Sequence, residues 1–167
     1  KGVAGAAQDE SNDELSLFNV DISSAELSVT QLEKEIQSHQ GAIAITYDIS
    51  DDNLQRYAVA LSANKSFLVQ GSKLGAWAKD PTIAKIAHDA KSLARISDFQ
   101  GLSFDTELAA YLINPGVRAQ AVEDLLSRWG GGVNIEAATP EQKLLSTACA
   151  LFQLRDSLHA ELVSRNL

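Results

Sequence analysis

Residues 104–116 read FDTELAAYLINPG and carry the strongest fold signal in the chain. Asp105 or Thr106 can cap the start of a helix, because a short polar side chain accepts a hydrogen bond from a free backbone N–H. Pro115-Gly116 follows the apolar residues and predicts the end of that helix. The apolar face predicted for this helix consists of Leu108, Ala109, Leu112 and Ile113. From these residues alone, Asp105 is interpreted as a helix cap.

Two further segments, one before and one after residues 104–116, add to the fold signal of this helix. Residues 87–93 (AHDAKSL) precede the helix, and residues 121–129 (AVEDLLSRW) follow it. The order and spacing of the three segments resemble the 3′-5′ proofreading exonuclease domain of family-A polymerases, the bacterial DNA polymerase I family. The resemblance covers residues 40–167 and is clearest from 86 to 129. It implies an α/β fold of the ribonuclease H-like type, with a mixed sheet flanked by helices.

The composition is that of one globular domain. Of the 167 residues, 45% are hydrophobic and 22% are charged, and no apolar run approaches the ~20 residues of a membrane span. The chain starts at Lys1 and contains no Met, so we expect a fragment of a longer, cytoplasmic protein, monomeric by default. Cys149 has no partner for an internal disulfide, which predicts a buried, reduced thiol.

The net charge of −8 is concentrated near the start of the chain. Residues 1–14 are small, polar and acidic, and they are predicted to form an acidic flexible linker before a domain at 15–167. A protein that grips nucleic acid by itself displays Lys and Arg to neutralise phosphates, and no basic run is present here. Autonomous tight DNA binding is therefore not expected, and no residue is assigned to it.

Local patterns predict strands early in the chain and helices late. Strands are expected at residues 15–22, 42–47, 57–62, 66–70 and 83–87, the middle three as a meander. Helices are expected from a capping box at Thr30 and Glu33 to about residue 40, at 74–79 and 89–96, and from 104 to 129. Thr139 and Pro140 predict the start of a last helix that runs to the chain end.

The resemblance also implies where catalytic residues should lie. Proofreading domains of this family hydrolyse the last phosphodiester bond of a DNA strand with two divalent metals about 4 Å apart, held by carboxylates. The family's first motif, Asp-x-Glu, falls on Thr46 and Asp48. A hydroxyl cannot supply the anionic bridge between two metals, so this motif is half lost. Asp48 alone is interpreted as a solvated strand end that opens an acidic turn.

The other two motifs are lost more completely. The metal-linked aspartate of the second motif falls on Leu93, and no protonation state of leucine binds a cation. Asp89 is expected to cap the helix there, with Lys91 facing solvent. The aspartate of the third motif, Tyr-x-x-x-Asp, falls on Thr147, in a stretch without tyrosine and without an acid between Glu141 and Asp156.

The leading hypothesis is therefore a degenerate exonuclease-like domain without catalytic or metal-binding residues, in which Asp48 and Asp105 are vestigial. By this resemblance its partners would be polymerase and 5′ nuclease domains of the same chain, and DNA through the parent enzyme, whose polymerase would use Mg²⁺. A second hypothesis is an active exonuclease in which Asp48, Asp105 and either Asp51 or Asp52 bind metals in an altered arrangement. A third is an unrelated acidic interaction module, which a different sheet order would support.

Overall fold

The computed structural model describes residues 21–167, so the linker predicted at residues 1–14 lies outside the described part. Most of the strand predicted at 15–22 lies outside it as well, and the first described strand begins at Ser23. The strands are β1 (Ser23–Glu26), β2 (Ile43–Ser50), β3 (Asn53–Ser62), β4 (Lys65–Gln70), β5 (Lys85–Ala87) and β6 (Leu102–Asp105). The helices are α1 (Val29–Gln37), α2 (Ala90–Ala94), α3 (Thr106–Ile113), α4 (Val122–Trp129) and α5 (Pro140–Ser164), with a 3₁₀ turn at Ala76–Lys79.

The six strands form one mixed sheet in the order β1-β4-β3-β2-β5-β6. Strands β2, β3 and β4 run antiparallel as the predicted meander. Strands β1, β5 and β6 each pair in parallel with a neighbour. A parallel connection needs a crossover, and helix α2 lies in the one that joins β5 to β6. The mixed sheet flanked by helices agrees with the predicted α/β class.

Apolar side chains cover both faces of the sheet. The long helix α5 lies against one face, where Ala44, Ala58 and Ala60 are fully buried, and small side chains let a helix approach closely. Cys149 on this helix is 2% exposed, and burial raises the pKa of its thiol. On the other face, Leu32 of α1 and Trp77 of the 3₁₀ turn belong to a second buried cluster. None of the helices among residues 21–167 is long and apolar enough to cross a membrane.

The start of α1 differs from the prediction. The capping box uses Ser28 and Gln31, whose side chains accept from each other's backbone N–H, rather than Thr30 and Glu33. The Glu33 carboxylate instead accepts from the backbone N–H groups of Ala76 and Trp77, at 3.0 and 2.8 Å. It therefore caps the 3₁₀ turn, a partner that local sequence cannot indicate.

Residues 104–116 also differ from the prediction in two respects. Residues 102–105 form strand β6 at the edge of the sheet, where a helix had been predicted from 104. Helix α3 buries Thr106, Ala109, Ala110 and Ile113. Leu108 and Leu112, which were expected on the buried face, are 58% and 46% exposed. The predicted apolar face was therefore only half right.

Candidate functional site

Strand β2 carries Thr46 and Asp48, the two residues on which the sequence analysis placed the first motif. The Thr46 side chain is buried, and its hydroxyl donates a 2.8 Å hydrogen bond to the Leu144 carbonyl in the first turns of α5. This contact uses the Thr46 proton to satisfy a backbone acceptor. Thr46 thus joins the strand to the last helix.

Asp48 is held by a cation rather than left in solvent. Its Oδ2 lies 2.8 Å from Nε of Arg56, the residue opposite it on β3. The same guanidinium pairs with Glu141 in the first turn of α5. The three side chains are about one-third exposed, at 39%, 28% and 33% for Asp48, Arg56 and Glu141. Asp48 is therefore partly exposed near the end of β2, as expected, but it is also paired with Arg56, which links β2, β3 and α5.

The positions of the other two motif aspartates are buried. Leu93 is fully buried in the cluster that also contains Ile45 and Ala87. Thr147 is 5% exposed, and its hydroxyl has no hydrogen-bond partner in the described part of the chain. Neither side chain offers a negative charge. Both fill space between the sheet and its helices.

Asp105 holds the starts of two helices together. Its Oδ1 accepts from the backbone N–H groups of Glu107 and Leu108 at 2.9 and 3.3 Å, which caps α3 as predicted. It also accepts from the N–H groups of Asp89 and Ala90, at 3.2 and 2.8 Å, where α2 begins. Asp89 caps α2 through the Ser92 N–H, as expected, from a left-handed backbone with φ 58°. Lys91 is exposed, as expected.

Asp51 and Asp52 form the tip of the β2–β3 hairpin. Both have left-handed backbones, with φ of 51° and 59°. The Asp52 side chain is 86% exposed and faces Arg95 at 4.0 Å. Within residues 21–167, no group of three His, Cys, Asp or Glu side chains is arranged to hold a metal ion.

A cleft of about 690 Å³ lies between β2 and the starts of α4 and α5. The motif positions 46, 48 and 147 line it. Lys143 and Glu123 form an ion pair at the cleft, and the hydrogen bond from Lys143 lowers the pKa of the Glu123 carboxyl. Asp105 is not among the lining residues, but it lines a neighbouring groove that shares Asp89.

Two further residues of the cleft were missed by the sequence analysis. The Tyr47 hydroxyl donates to the Asp89 carbonyl, and burial together with the Asp89 and Asp105 carboxylates raises the pKa of this phenol. Nδ1 of His88 lies 2.9 Å from the Thr106 hydroxyl oxygen. Burial lowers the pKa of its imidazole. His88 directly follows the buried strand β5, and this position could have indicated that its side chain contacts the interior.

No protein-family model matches the chain. It is 34% identical to DNA polymerase I of Mycobacterium bovis over 111 residues, which cover 53% of this chain and 12% of that protein. It is 41% identical to DNA polymerase I of Mycobacterium leprae over 78 residues, 44% of this chain and 8% of that protein. The matched part is thus about one-tenth of the length of these relatives.

Solved structures share the fold. The polymerase domain of Pol1 from M. smegmatis, in complex with DNA primer-template and dNTP, matches 83% of this chain and 26% of its own, with a TM-score of 0.62 and 25% identity. NrnC of Brucella melitensis bound to pGG matches 89% of this chain and 84% of its own, with a TM-score of 0.66 and 17% identity. The fold class is therefore ribonuclease H-like, and the different sheet order needed by an unrelated interaction module is not observed. The described residues are thus similar in sequence to part of DNA polymerase I and share their fold with these solved structures.

Proposed function

We propose that this chain is a non-catalytic 3′-5′ exonuclease-like domain of a bacterial DNA polymerase I, retained as a structural platform for the polymerase domain in DNA repair and replication. One observation carries the proposal. The positions where the family places metal-binding carboxylates are occupied here by side chains committed to other contacts: Thr46 to Leu144, Asp48 to Arg56, and Leu93 and Thr147 to the interior.

The charges at the motif positions oppose the binding of two metal ions. Two divalent cations a few ångströms apart repel each other, and several carboxylates must offset that repulsion. Of the four motif positions, only Asp48 carries a carboxylate, and Arg56 already compensates its charge. A metal ion would have to displace a guanidinium that also binds Glu141.

The hypothesis of an active exonuclease has less support. It needs Asp48, Asp105 and Asp51 or Asp52 to act on one metal centre. Asp105 accepts four backbone hydrogen bonds, and Asp52 is at an exposed hairpin tip. These carboxylates have separate structural roles.

The remaining parts of the proposal concern the whole polypeptide. The domain would be joined to polymerase and 5′ nuclease domains, and it would meet DNA only through them. Any Mg²⁺ would serve the parent polymerase. We propose a monomeric, cytoplasmic enzyme.

Mn²⁺ titration followed by paramagnetic broadening of NMR signals tests the proposal. We expect no site-specific broadening near Asp48 or Asp105 up to millimolar metal, and no metal-dependent shortening of single-stranded DNA. Broadening at micromolar Mn²⁺ together with DNA degradation that Asp48→Asn abolishes would establish the active exonuclease instead. Asp156→Asn, on an exposed carboxylate of α5, is the matched control.

A further inference from the structure

Large apolar side chains that remain exposed are concentrated in one part of the described chain. Five of the seven such side chains within residues 21–167 lie between positions 102 and 117, on β6, α3 and the loop after it. They are Leu102, Leu108, Tyr111, Leu112 and Val117. Leu108, Tyr111 and Leu112 are spaced so that they share one side of α3. We call these three residues with Val117 the α3 surface. Soluble proteins seldom leave such a group uncovered.

The other two exposed side chains lie near the same helix. Val163 and Leu167 are 60% and 62% exposed in the last turn of α5 and just after it. This turn meets the end of α3, because Arg165 Nη1 donates a 3.1 Å hydrogen bond to the Ile113 carbonyl. The end of α5, with its two exposed apolar side chains, therefore contacts the end of the helix that carries the α3 surface.

A groove of about 430 Å³ gives this surface a definite shape. Leu108, Tyr111 and Val117 line it together with Asp89, Asp105 and Glu107. Lys91 and Arg118 line it too. Glu107 nevertheless has no ion-pair partner in the described part of the chain, whose salt bridges involve other groups.

The charge around Glu107 favours an added cation. Partial burial raises the pKa of its carboxyl, and the neighbouring Asp89 and Asp105 carboxylates raise it further. Asp89 and Asp105 are already used as helix caps, so they cannot turn away from Glu107. A Lys or Arg side chain brought next to Glu107 would relieve this repulsion while apolar atoms cover Leu108 and Tyr111.

We propose that the α3 surface is the docking face for the polymerase domain of the same polypeptide, through an apolar segment that directs a Lys or Arg side chain at Glu107. The inference rests on the proposed function, because it requires a polymerase domain on the same chain. The mycobacterial relatives carry the matched segment within a much longer protein. A tethered domain is present at high effective concentration, so an interface of modest area suffices.

Hydroxyl-radical footprinting of the longer polypeptide tests this inference, because it measures the solvent exposure of individual side chains. We expect Leu108, Tyr111 and Leu112 to be modified several-fold more slowly than their exposure in the domain alone predicts. Glu107→Lys should restore modification of all three, since it places like charges at the docking point. Glu136→Lys, which reverses another exposed acid, is the matched control and should change nothing.

Three outcomes would overturn the inference. The first is fast modification of the α3 surface in the unaltered polypeptide. The second is protection that Glu107→Lys leaves intact. The third is protection that disappears on dilution, which would indicate that a second copy of the chain covers the surface. Leu108→Asp provides an independent variant and should act as Glu107→Lys does. None of these outcomes touches the proposed function, whose failure would appear instead as a longer polypeptide without a polymerase domain or as Mn²⁺-dependent DNA degradation.

Discussion

The Thr46 hydroxyl makes a structural hydrogen bond at a position where the sequence analysis predicted a lost motif carboxylate. A carboxylate at this position would point its lone pairs at the Leu144 carbonyl, where the threonine proton now lies. Two acceptors facing each other in a buried site repel, and neither is satisfied. Restoring the family's acid at this single position therefore conflicts with the way β2 packs on α5.

We expect Thr46→Asp to destabilise the domain by about 1–3 kcal/mol, because a buried donor is replaced by an unpaired charge. Urea unfolding measures this difference. Thr46→Ser keeps the hydroxyl and is the control, with a smaller loss from its missing methyl group. A Thr46→Asp variant as stable as the parent chain would contradict the interpretation.

His88 should make stability depend on pH. Its folded-state pKa lies below the unfolded value of about 6.5, because burial disfavours the charged imidazolium. The unfolded state then binds more protons in the window below that value, so stability falls as pH decreases from about 6.5 toward the folded pKa. Unfolding free energies measured from pH 8 to pH 5 should show this slope. His88→Gln should flatten that part of the profile, and an unchanged slope would exclude His88 as its source.

At the scale of secondary-structure elements, two contacts join the strand β2 to the start of α5. The Thr46–Leu144 hydrogen bond is buried, whereas the Asp48–Arg56–Glu141 network is partly exposed. Glu141 also lies in the first turn of α5, where a negative side chain interacts favourably with the helix dipole. The exposed network should therefore depend on salt more than the buried hydrogen bond does.

We expect Arg56→Gln to lower the free energy of unfolding by about 1 kcal/mol at low salt, since partly exposed ion pairs are screened by solvent. The loss should shrink as salt increases. A double-mutant cycle with Glu141→Gln measures the coupling energy of the pair. Arg95→Gln removes a cation that is 67% exposed and 4.0 Å from Asp52, so this control should have little effect. Equal losses in both arginine variants would contradict the bridging role of Arg56.

The sequence predicted the elements with strong local signals. The meander of β2, β3 and β4 follows from β-rich runs separated by short turns, and α5 begins where Thr139 and Pro140 indicate. Strand β6 was missed because it has only four residues and is defined by its pairing with β5. The face of α3 was half wrong because Thr106 is buried beside His88, a contact between residues that are distant in sequence.

Motif spacing indicated the positions of the candidate site but not the contacts of its side chains. The partner of Thr46 is 98 residues away in sequence, and Glu141 is 85 residues from Arg56. Such contacts depend on how the long helix crosses the sheet. The loss of motif carboxylates therefore stays a prediction from residue type, whereas the fold shows which contacts the side chains at these positions make.

At the scale of the whole molecule, charge sets the expected behaviour toward DNA. The chain has a net charge of −8, so repulsion from phosphates opposes binding of nucleic acid by this chain alone. We expect fluorescence anisotropy with labelled single-stranded DNA to show no saturation at tens of micromolar protein in physiological salt. Saturable binding at micromolar protein that weakens steeply with added salt would show that the fold creates a basic surface from scattered residues.

The four hydrogen bonds to Asp105 give this residue a structural task that does not depend on catalysis. A residue that fastens two helix starts is under selection for folding whether or not any nuclease chemistry remains. The presence of this aspartate in a homologue is therefore poor evidence of catalysis by itself.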